Sequence, residues 1–514
     1  MSVRVRFAPS PTGLLHVGAL RTAVYDFLFA KKNGGVNILR IEDTDRTRYN
    51  PESEQEFIDT LGWVGVTFDE GPHVGGPHAP YRQSERKEAG IYTPYVNQLL
   101  ESGHAYKAFE TTDELAEMRQ FQEINKTATG YFGGAWRDAD PAKVAAAEAE
   151  GKPFVIRLKI PRNETIVMQD MIRGRIEWDS NTVDDPVLIK ADGMPTYHFA
   201  AMVDDHLMEI THVLRGEEWI SSTPKHLCLF AAFGWEPPVF VQCPVIVGTD
   251  GKKLSKRHGA TRVLDYAAQG SLKDPLKNFI ALIGWSPGDD REIMAEAELI
   301  DAFNLGGIQP SPGRFDKDKL NWINGAAIRA LSTAELVAEI KAFLQYPYTF
   351  EYWSTVEAEA NEPDPKVVLA DLRRLQAALV TDEHYATEAI RLEQERVQTL
   401  AGFGSACAFF FEEEPPFDQK AVDKWFAEAH VGTMLIEFIG HLSAMPTASV
   451  EGMEAMVRGY AERAGFEKLG PVVHPTRVAL TGKTVGPGLF ELMAVLGPDR
   501  CIRRMNRAKA HLKA

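Results

Sequence analysis

Two short stretches of the 514-residue chain gather residues suited to binding a charged ligand. The first, "APSPTGLLHVGA" (residues 8–19), places Gly13 and Gly18 around His16, where a Pro/Gly turn meets a helical pattern. A helix start presents unpaired backbone N–H groups and a partial positive charge, which suits phosphate. Glycines without a Cβ let a nucleotide approach the backbone, and His16 can donate to a phosphate oxygen. A tight turn with a helix-capping histidine is the competing reading of the same residues. The second stretch, "GTDGKKLSKRHGA" (residues 248–260), crowds Lys252, Lys253, Lys256, Arg257 and His258 into a loop bounded by glycines. A loop with two or more lysines can clamp a triphosphate and neutralise charge as it develops. Read alone, a solvated basic loop is the more frequent case. No nucleophile or general base adjoins it, so covalent catalysis is not suggested.

Other nucleotide and metal motifs fail. "RVALTGKT" has Arg477 where a phosphate-binding loop ending in Gly482-Lys483-Thr484 needs its first glycine. There is no G-x-G-x-x-G after the first strand and no H-E-x-x-H.

The elements that must hold the first stretch are readable from periodicity. Val3, Val5 and Phe7 alternate with Ser2, Arg4 and Arg6, the period of a half-buried strand. Val17, Leu20, Val24 and Leu28 recur at helical spacing, Gly34-Gly35 stops the helix, and "VNILRI" reads as a second strand. Strand, helix and strand in about forty residues form a βαβ unit, whose ligands sit where strand C-termini lead into helix N-termini. Residues 97–197 mix helical pieces with strand-like "FVIRLKI" and "GRIEWD" and look inserted. The first sheet resumes near residue 198 with "HVLRG" and "VFVQCPVIV" around helical "TPKHLCLFAAFG". From about residue 333 the pattern is helical: "STAELVAEIKAFL", "DPKVVLADLRRLQAAL", "YATEAIRLEQERVQTLAGF" and "VDKWFAEAHVGTMLIEFIGHLSAM". The expected division is 1–96 with 198–250, an insertion at 97–197, a loop region at 251–332, and helical regions at 333–400 and 401–514.

The totals set outer limits. The formal charge of −16 argues against a general nucleic-acid binder but leaves room for one local basic face. "DRCIRRMNRAKAHLKA" could be such a face; the preferred reading is a solvated last helix with cations favouring its C-terminal dipole. Cys228, Cys243, Cys407 and Cys501 form no C-x-x-C pair and read as reduced thiols. Arg4 and Arg6 stand where a signal peptide would need an apolar core, and no apolar run approaches a membrane span. A cytoplasmic protein without membrane partners is expected.

Together, "APSPTGLLHVGA" and "KLSKR" resemble the two signature motifs of class I aminoacyl-tRNA synthetases, known as HIGH and KMSKS. Within that class the wording resembles the glutamyl-tRNA synthetases of bacterial type. The matching segments include "RFAPSPTG", "LRIEDTDR", "EGPHVGGPHAPYRQSER", "VDDHLMEITHVLRGEEW", "FDKDKLNWING" and "ALTGKTVGPGLFELMAVLG", covering residue 6 to about 497.

The resemblance implies an α/β fold: a Rossmann-like catalytic domain with an inserted α/β domain, then an all-α anticodon-binding region. It implies ATP-dependent activation of L-glutamate and its transfer to the 3'-terminal adenosine of tRNA-Glu. By similarity, Arg6, Ala8, Ser10, Glu42, Tyr197 and Arg215 form the glutamate site, with Arg215 on the side-chain carboxylate and Glu42 on the ammonium. Thr12, Gly18, Glu218, Trp219 and Leu254 border ATP, and His16, Lys253 and Lys256 act on its phosphates. An ion pair with the Glu217/Glu218 region is the alternative for Arg215, and core packing the alternative for Trp219. Arg396 matches a family arginine that inspects the anticodon, an exposed helix arginine being the other reading. Magnesium should travel with ATP. Zinc is not expected, because Ala108 and Glu110 stand where some members begin a Cys-x-Cys pair. Ala201 replaces a polar asparagine found near the amino acid in some relatives. A monomer is the family expectation. Charging of tRNA-Gln as well as tRNA-Glu stays open, and a silent RNA-binding paralogue is the minor alternative.

Overall fold

The computed structural model describes residues 2–254, 262–358, 362–445 and 449–512. Two compact units emerge: Met1–Val263 with Leu276–Lys317, and Leu264–Pro275 with Asp318–Ala514.

The first unit is α/β. Its strands are β1 (Arg4–Phe7), β2 (Val36–Leu39), β3 (Ala105–Ala108), β4 (Val155–Leu158), β5 (Thr165–Asp170), β6 (Gly174–Asp179), β7 (Val187–Ile189), β8 (His212–Gly216), β9 (Val239–Cys243), β10 (Ile246–Val247) and β11 (Gly313–Arg314). Helix α1 (Val17–Lys32) joins β1 to the parallel β2, as the βαβ reading requires. Its apolar residues Val17, Leu20, Val24 and Leu28 are all buried, and Lys31 and Lys32 close its last turn, where cations favour the helix dipole. On the other side of β1, the Thr211 N–H donates to the Arg4 carbonyl at 2.9 Å, which sets the start of β8 beside the start of β1. β8 runs parallel to β9. The connections after β1 and after β8 therefore leave in opposite directions, which creates a crevice at their C-terminal ends.

β1 is not half-buried. Arg6 is as enclosed as Val5 and Phe7, and Arg4 is only partly exposed. Charge pairing makes this tolerable: Arg4 binds Glu70 at 2.8 Å and Arg6 binds Asp205 at 3.0 Å.

The 97–197 stretch is less self-contained than its sequence suggests. β3, β4 and β7 form an antiparallel sheet, but the β5–β6 hairpin joins the main sheet through β9. Strand β5 alternates exposed and buried residues along "TIVMQD", a period-two signal that the sequence reading passed over. Pro244 interrupts the "VFVQCPVIV" run, so β9 pairs with β8 whereas β10 pairs with β11.

From residue 333 onward the described elements are helices, packed on one core that includes Leu372, Phe403, Phe438, Leu480 and Leu492. Two expected helices are each divided in two. "YATEAIRLEQERVQTLAGF" becomes Glu383–Glu393 and Gly402–Phe411, and the later run becomes Gln419–Trp425 and Val431–Ser443. The last helix, Leu489–Lys509, bends at Gly497, whose φ of 75° favours glycine. Its arginines are not simply solvated. Arg504 is buried and donates to the carbonyls of Leu480, Phe409 and Glu412 at 2.6–2.8 Å. It thereby serves the unpaired C-terminal carbonyls of two neighbouring helices. Gly482 ends the helix Gly470–Thr481 in the left-handed region, and a Cβ there would fall 2.0 Å from the Pro416 carbonyl oxygen. "TGKT" is thus a helix cap, not a phosphate loop.

Among the described residues, no helix is long and apolar enough to cross a membrane. All four cysteines are free and buried.

Candidate active site

A cavity of about 750 Å³ opens at the C-terminal ends of β1 and β8, bounded by the N-terminus of α1. Arg6, Ala8, Ser10, Thr12, His16, Gly18, Glu42, Tyr197, Arg215, Glu218, Trp219, Lys253 and Leu254 all line it. Two sequence segments about 240 residues apart are thus brought to one pocket. Lys256 lies outside the described residues, as do Arg257 and His258.

At one end, His16 caps α1, its Nδ1 accepting the Ala19 N–H at 3.2 Å. That bond leaves Nε2 as the ring nitrogen able to donate outward. Desolvation lowers the His16 pKa, Glu218 opposes the shift and Lys253 adds to it. The imidazole is therefore neutral near pH 7 and serves as a hydrogen-bond donor, not a fixed cation. A Cβ on Gly18 would approach His16 Nδ1 to 3.2 Å, so alanine there would crowd the ring. Trp219 packs against Tyr197 with ring centroids 4.4 Å apart and the rings tilted by 38°, so its rim can border a ligand while its other side packs.

The other end carries buried charge. Arg40 donates to Glu42 at 2.9 Å and to Asp205 at 2.7 Å, and Asp205 also accepts from Arg6. Burial and then the neighbouring arginines act on Glu42; burial prevails and its pKa is raised. Arg6 and Arg40 balance Glu42 and Asp205.

Arg215 is different. It is buried, and the groups that accept hydrogen bonds from it are uncharged. Nη2 donates to Thr223 Oγ1 at 2.7 Å, and Nη1 to His226 Nδ1 at 3.1 Å. The Gln242 carbonyl, oriented toward the guanidinium, accepts from Nε and Nη2 at 3.2 Å. The ion pair with Glu217/Glu218 does not form: Glu217 binds Arg173 and the Val245 N–H instead. A buried guanidinium at a cavity wall with no carboxylate paired to it is prepared for an anion from outside, and its planar fork suits a carboxylate.

Sequence reasoning missed several residues here. Arg40 and Asp205 hold Arg6 in place, although both lie in quoted segments of the chain. Arg21 lines the cavity, is buried and donates to the Pro244 carbonyl, while its Nε and Nη1 have no partner. Thr223, His226 and Gln242 surround Arg215 with no local motif to announce them. Ala201 is fully buried in the helix Tyr197–Leu207 and offers no polar contact. Glu110 accepts from the Tyr131 hydroxyl at 2.5 Å. Among the described residues, no group of three or more His, Cys, Asp or Glu side chains is placed to hold a metal.

Comparison with known proteins places the chain in a family. Residues 2–322 match the family described as "tRNA synthetases class I (E and Q), catalytic domain". A glutamate–tRNA ligase of Chloroherpeton thalassium is 42% identical over 515 residues, covering 99% of this chain and 97% of that protein. The chain belongs to the glutamate–tRNA ligase family. A second ligase of that name, from Elusimicrobium minutum, is 40% identical and covers 99% of both chains. A crystal structure of the glutamate tRNA ligase of Elizabethkingia meningosepticum, in complex with its amino acid, superimposes with a TM-score of 0.86 at 36% identity over the full length of both.

The class I catalytic fold and the helical C-terminal half are therefore those of a glutamate–tRNA ligase, and residues 372–509 match an anticodon-binding domain. Arg396 lies in that half, exposed in the turn after helix Glu383–Glu393 and not within a helix. Its charge and those of Arg477 and Lys483 act on the buried Glu393, whose pKa burial nevertheless pushes up to about 7.

Proposed function

We propose that the chain activates L-glutamate with ATP, forms glutamyl-adenylate and passes the glutamyl group to the 3'-terminal adenosine of tRNA-Glu, acting as a monomer. The observation that carries the substrate is Arg215, a buried guanidinium with neutral partners only. It receives the side-chain carboxylate of glutamate. Glutamine offers no charge to compensate it, so the carboxamide is disfavoured. Glu42, with one oxygen held by Arg40, takes the substrate ammonium, and Arg6, Ala8, Ser10 and Tyr197 complete that end.

Thr12, Gly18, Glu218, Trp219 and Leu254 border the adenosine and sugar of ATP. His16 at the start of α1, with Lys253 and Lys256, stabilises the charge that develops as the substrate α-carboxylate attacks the α-phosphorus. The substrate supplies the nucleophile, so the protein contributes position and charge. Magnesium enters as part of the nucleotide substrate, held through its phosphates.

The test is glutamate charging by the purified chain, with ATP and magnesium, on tRNA-Glu and tRNA-Gln in parallel. Charging of tRNA-Glu is expected; failure on both tRNAs would refute the reading. Charging of tRNA-Gln as well would identify a relaxed enzyme and move attention to Arg396.

A further inference from the structure

Helix α2 (Thr223–Phe233) places His226 directly behind Arg215, fully buried. An arginine side chain has donors only, so the 3.1 Å contact requires His226 Nδ1 to accept. A bare Nδ1 on a neutral imidazole puts the proton on Nε2. That nitrogen lies 3.0 Å from His198 Nδ1, which must accept in turn. One arginine therefore dictates the tautomer of two histidines: both carry hydrogen on Nε2, and neither can take a second proton on Nδ1 without losing a contact. Burial drives the His226 pKa well below the ordinary histidine value, and the Arg215 charge acts in the same direction.

We infer that His226 is the positioning residue for the substrate's side-chain carboxylate: a neutral acceptor that aims the Arg215 guanidinium without cancelling its charge, with His198 locking the tautomer. The inference rests on the reading of Arg215 as the carboxylate-binding group. Its content is a contrast of acceptors. A carboxylate behind Arg215 would orient it equally well but would neutralise it, and glutamate would then bring an unpaired charge into a buried site. An apolar residue would leave the guanidinium charged but its Nη1 unpaired, aimed by Thr223 and Gln242 from one side only. Imidazole in one tautomer avoids both costs.

The experiment uses the full-length chain, tRNA-Glu charging, and separate KM values for glutamate and ATP. In His226→Leu, KM for glutamate should rise roughly 10- to 100-fold, the range for a buried donor left unpaired, with KM for ATP within about twofold. His226→Asn, whose side-chain oxygen can stand in for Nδ1, should recover most of that loss. A Leu variant with unchanged KM for glutamate, or with both KM values raised together, would overturn the inference. Arg215→Gln separates the two levels. If it too leaves KM for glutamate unchanged, the reading of Arg215 has failed; if it raises that KM strongly while His226→Leu does not, only the role of His226 has failed. Should the Leu variant not fold, nitrogen-15 spectra of histidine-labelled wild type decide, with His226→Asn and His198→Asn assigning the signals. Both rings must show Nε2–H with bare Nδ1 from about pH 5 to 8. An Nδ1–H signal from either would overturn the inference.

Discussion

Arg215 in the catalytic unit and Arg504 in the C-terminal helical unit are both buried arginines without a carboxylate partner, yet they do different work. Arg504 spends its donors on three backbone carbonyls at helix ends that would otherwise be orphaned. Its charge complements the negative ends of two helix dipoles, so the site is complete as folded. Arg215 faces a cavity, and its partners are the hydroxyls of Thr223 and Tyr197, one amide and one imidazole. No carboxylate is paired with it; the buried Asp205 acts on it only through space. The difference teaches that burial of a cation is not the mark of function; the mark is burial beside an open wall with no carboxylate paired to it. Arg40 completes the contrast, since Glu42 and Asp205 neutralise it within the same cavity end.

Breaking the compensated set should cost most. Asp205→Ala leaves Arg6 and Arg40 without their shared carboxylate, a loss of about 3–5 kcal/mol for an uncompensated buried pair. Urea denaturation of the full chain should show it as a lower midpoint. A midpoint shift equivalent to under about 1 kcal/mol would mean that Glu42 alone suffices.

The next test converts Arg215 into a second Arg40. His226→Asp places a carboxylate behind the guanidinium, and kcat/KM for glutamate should fall about hundredfold, or about 2.7 kcal/mol. The folded state should hold, because the new pair is charge-balanced. Retained glutamate activity would show that the lack of a carboxylate paired with Arg215 is not what selects the substrate.

Arg504→Met probes the other side of the comparison. It removes donors from three carbonyls but keeps an apolar stem, for an expected destabilisation of about 1–3 kcal/mol with KM for glutamate unchanged. A rise in that KM would deny that the two arginines serve separate purposes.

How much of this was visible beforehand follows from the range of each interaction. His16 and Gly18 announce themselves because glycine and a helix start fall together in one short stretch, and Lys253 because it lies in a short run crowded with cations. The βαβ unit is likewise local. Asp205 is 199 residues from Arg6, and no period or turn signal marks that pairing. His226 sits at an ordinary position of an apolar helix, and its tautomer exists only because Arg215 lies against it. The solvated reading of Arg504 failed for a related reason: helical periodicity counts arginine as surface and cannot see that helices ending elsewhere need donors. The merged helix across residues 394–401 failed because a near-continuous polar-apolar period ran through a turn that packing imposes.

The last test is a pair of opposed pH dependences. In the catalytic unit, burial lowers the His198 pKa from 6.5 to about 4, and His226 shifts the same way. The groups acting on the pair are Arg215, Lys225, Asp184 and Arg6. The folded state keeps these rings neutral, whereas the unfolded chain protonates them below about pH 6.5. Stability is then full above that pH and falls as pH drops toward 4, by up to about 1.4 kcal/mol per pH unit for each proton. Glu393 in the helical unit works in reverse. Burial raises its pKa from 4.5 to about 7, against the opposing charges of Arg396, Lys483 and Arg477. The unfolded chain ionises first, so stability is lost as pH rises from about 4.5 to 7. Glu393→Gln should abolish only this second slope, and His198→Asn should reduce only the first, in thermal melts of the full chain between pH 4 and 8. If Glu393→Gln leaves the alkaline limb unchanged, the carboxylate is ionised in the folded protein and belongs with the compensated charges of Arg40, not with the neutral shell of Arg215.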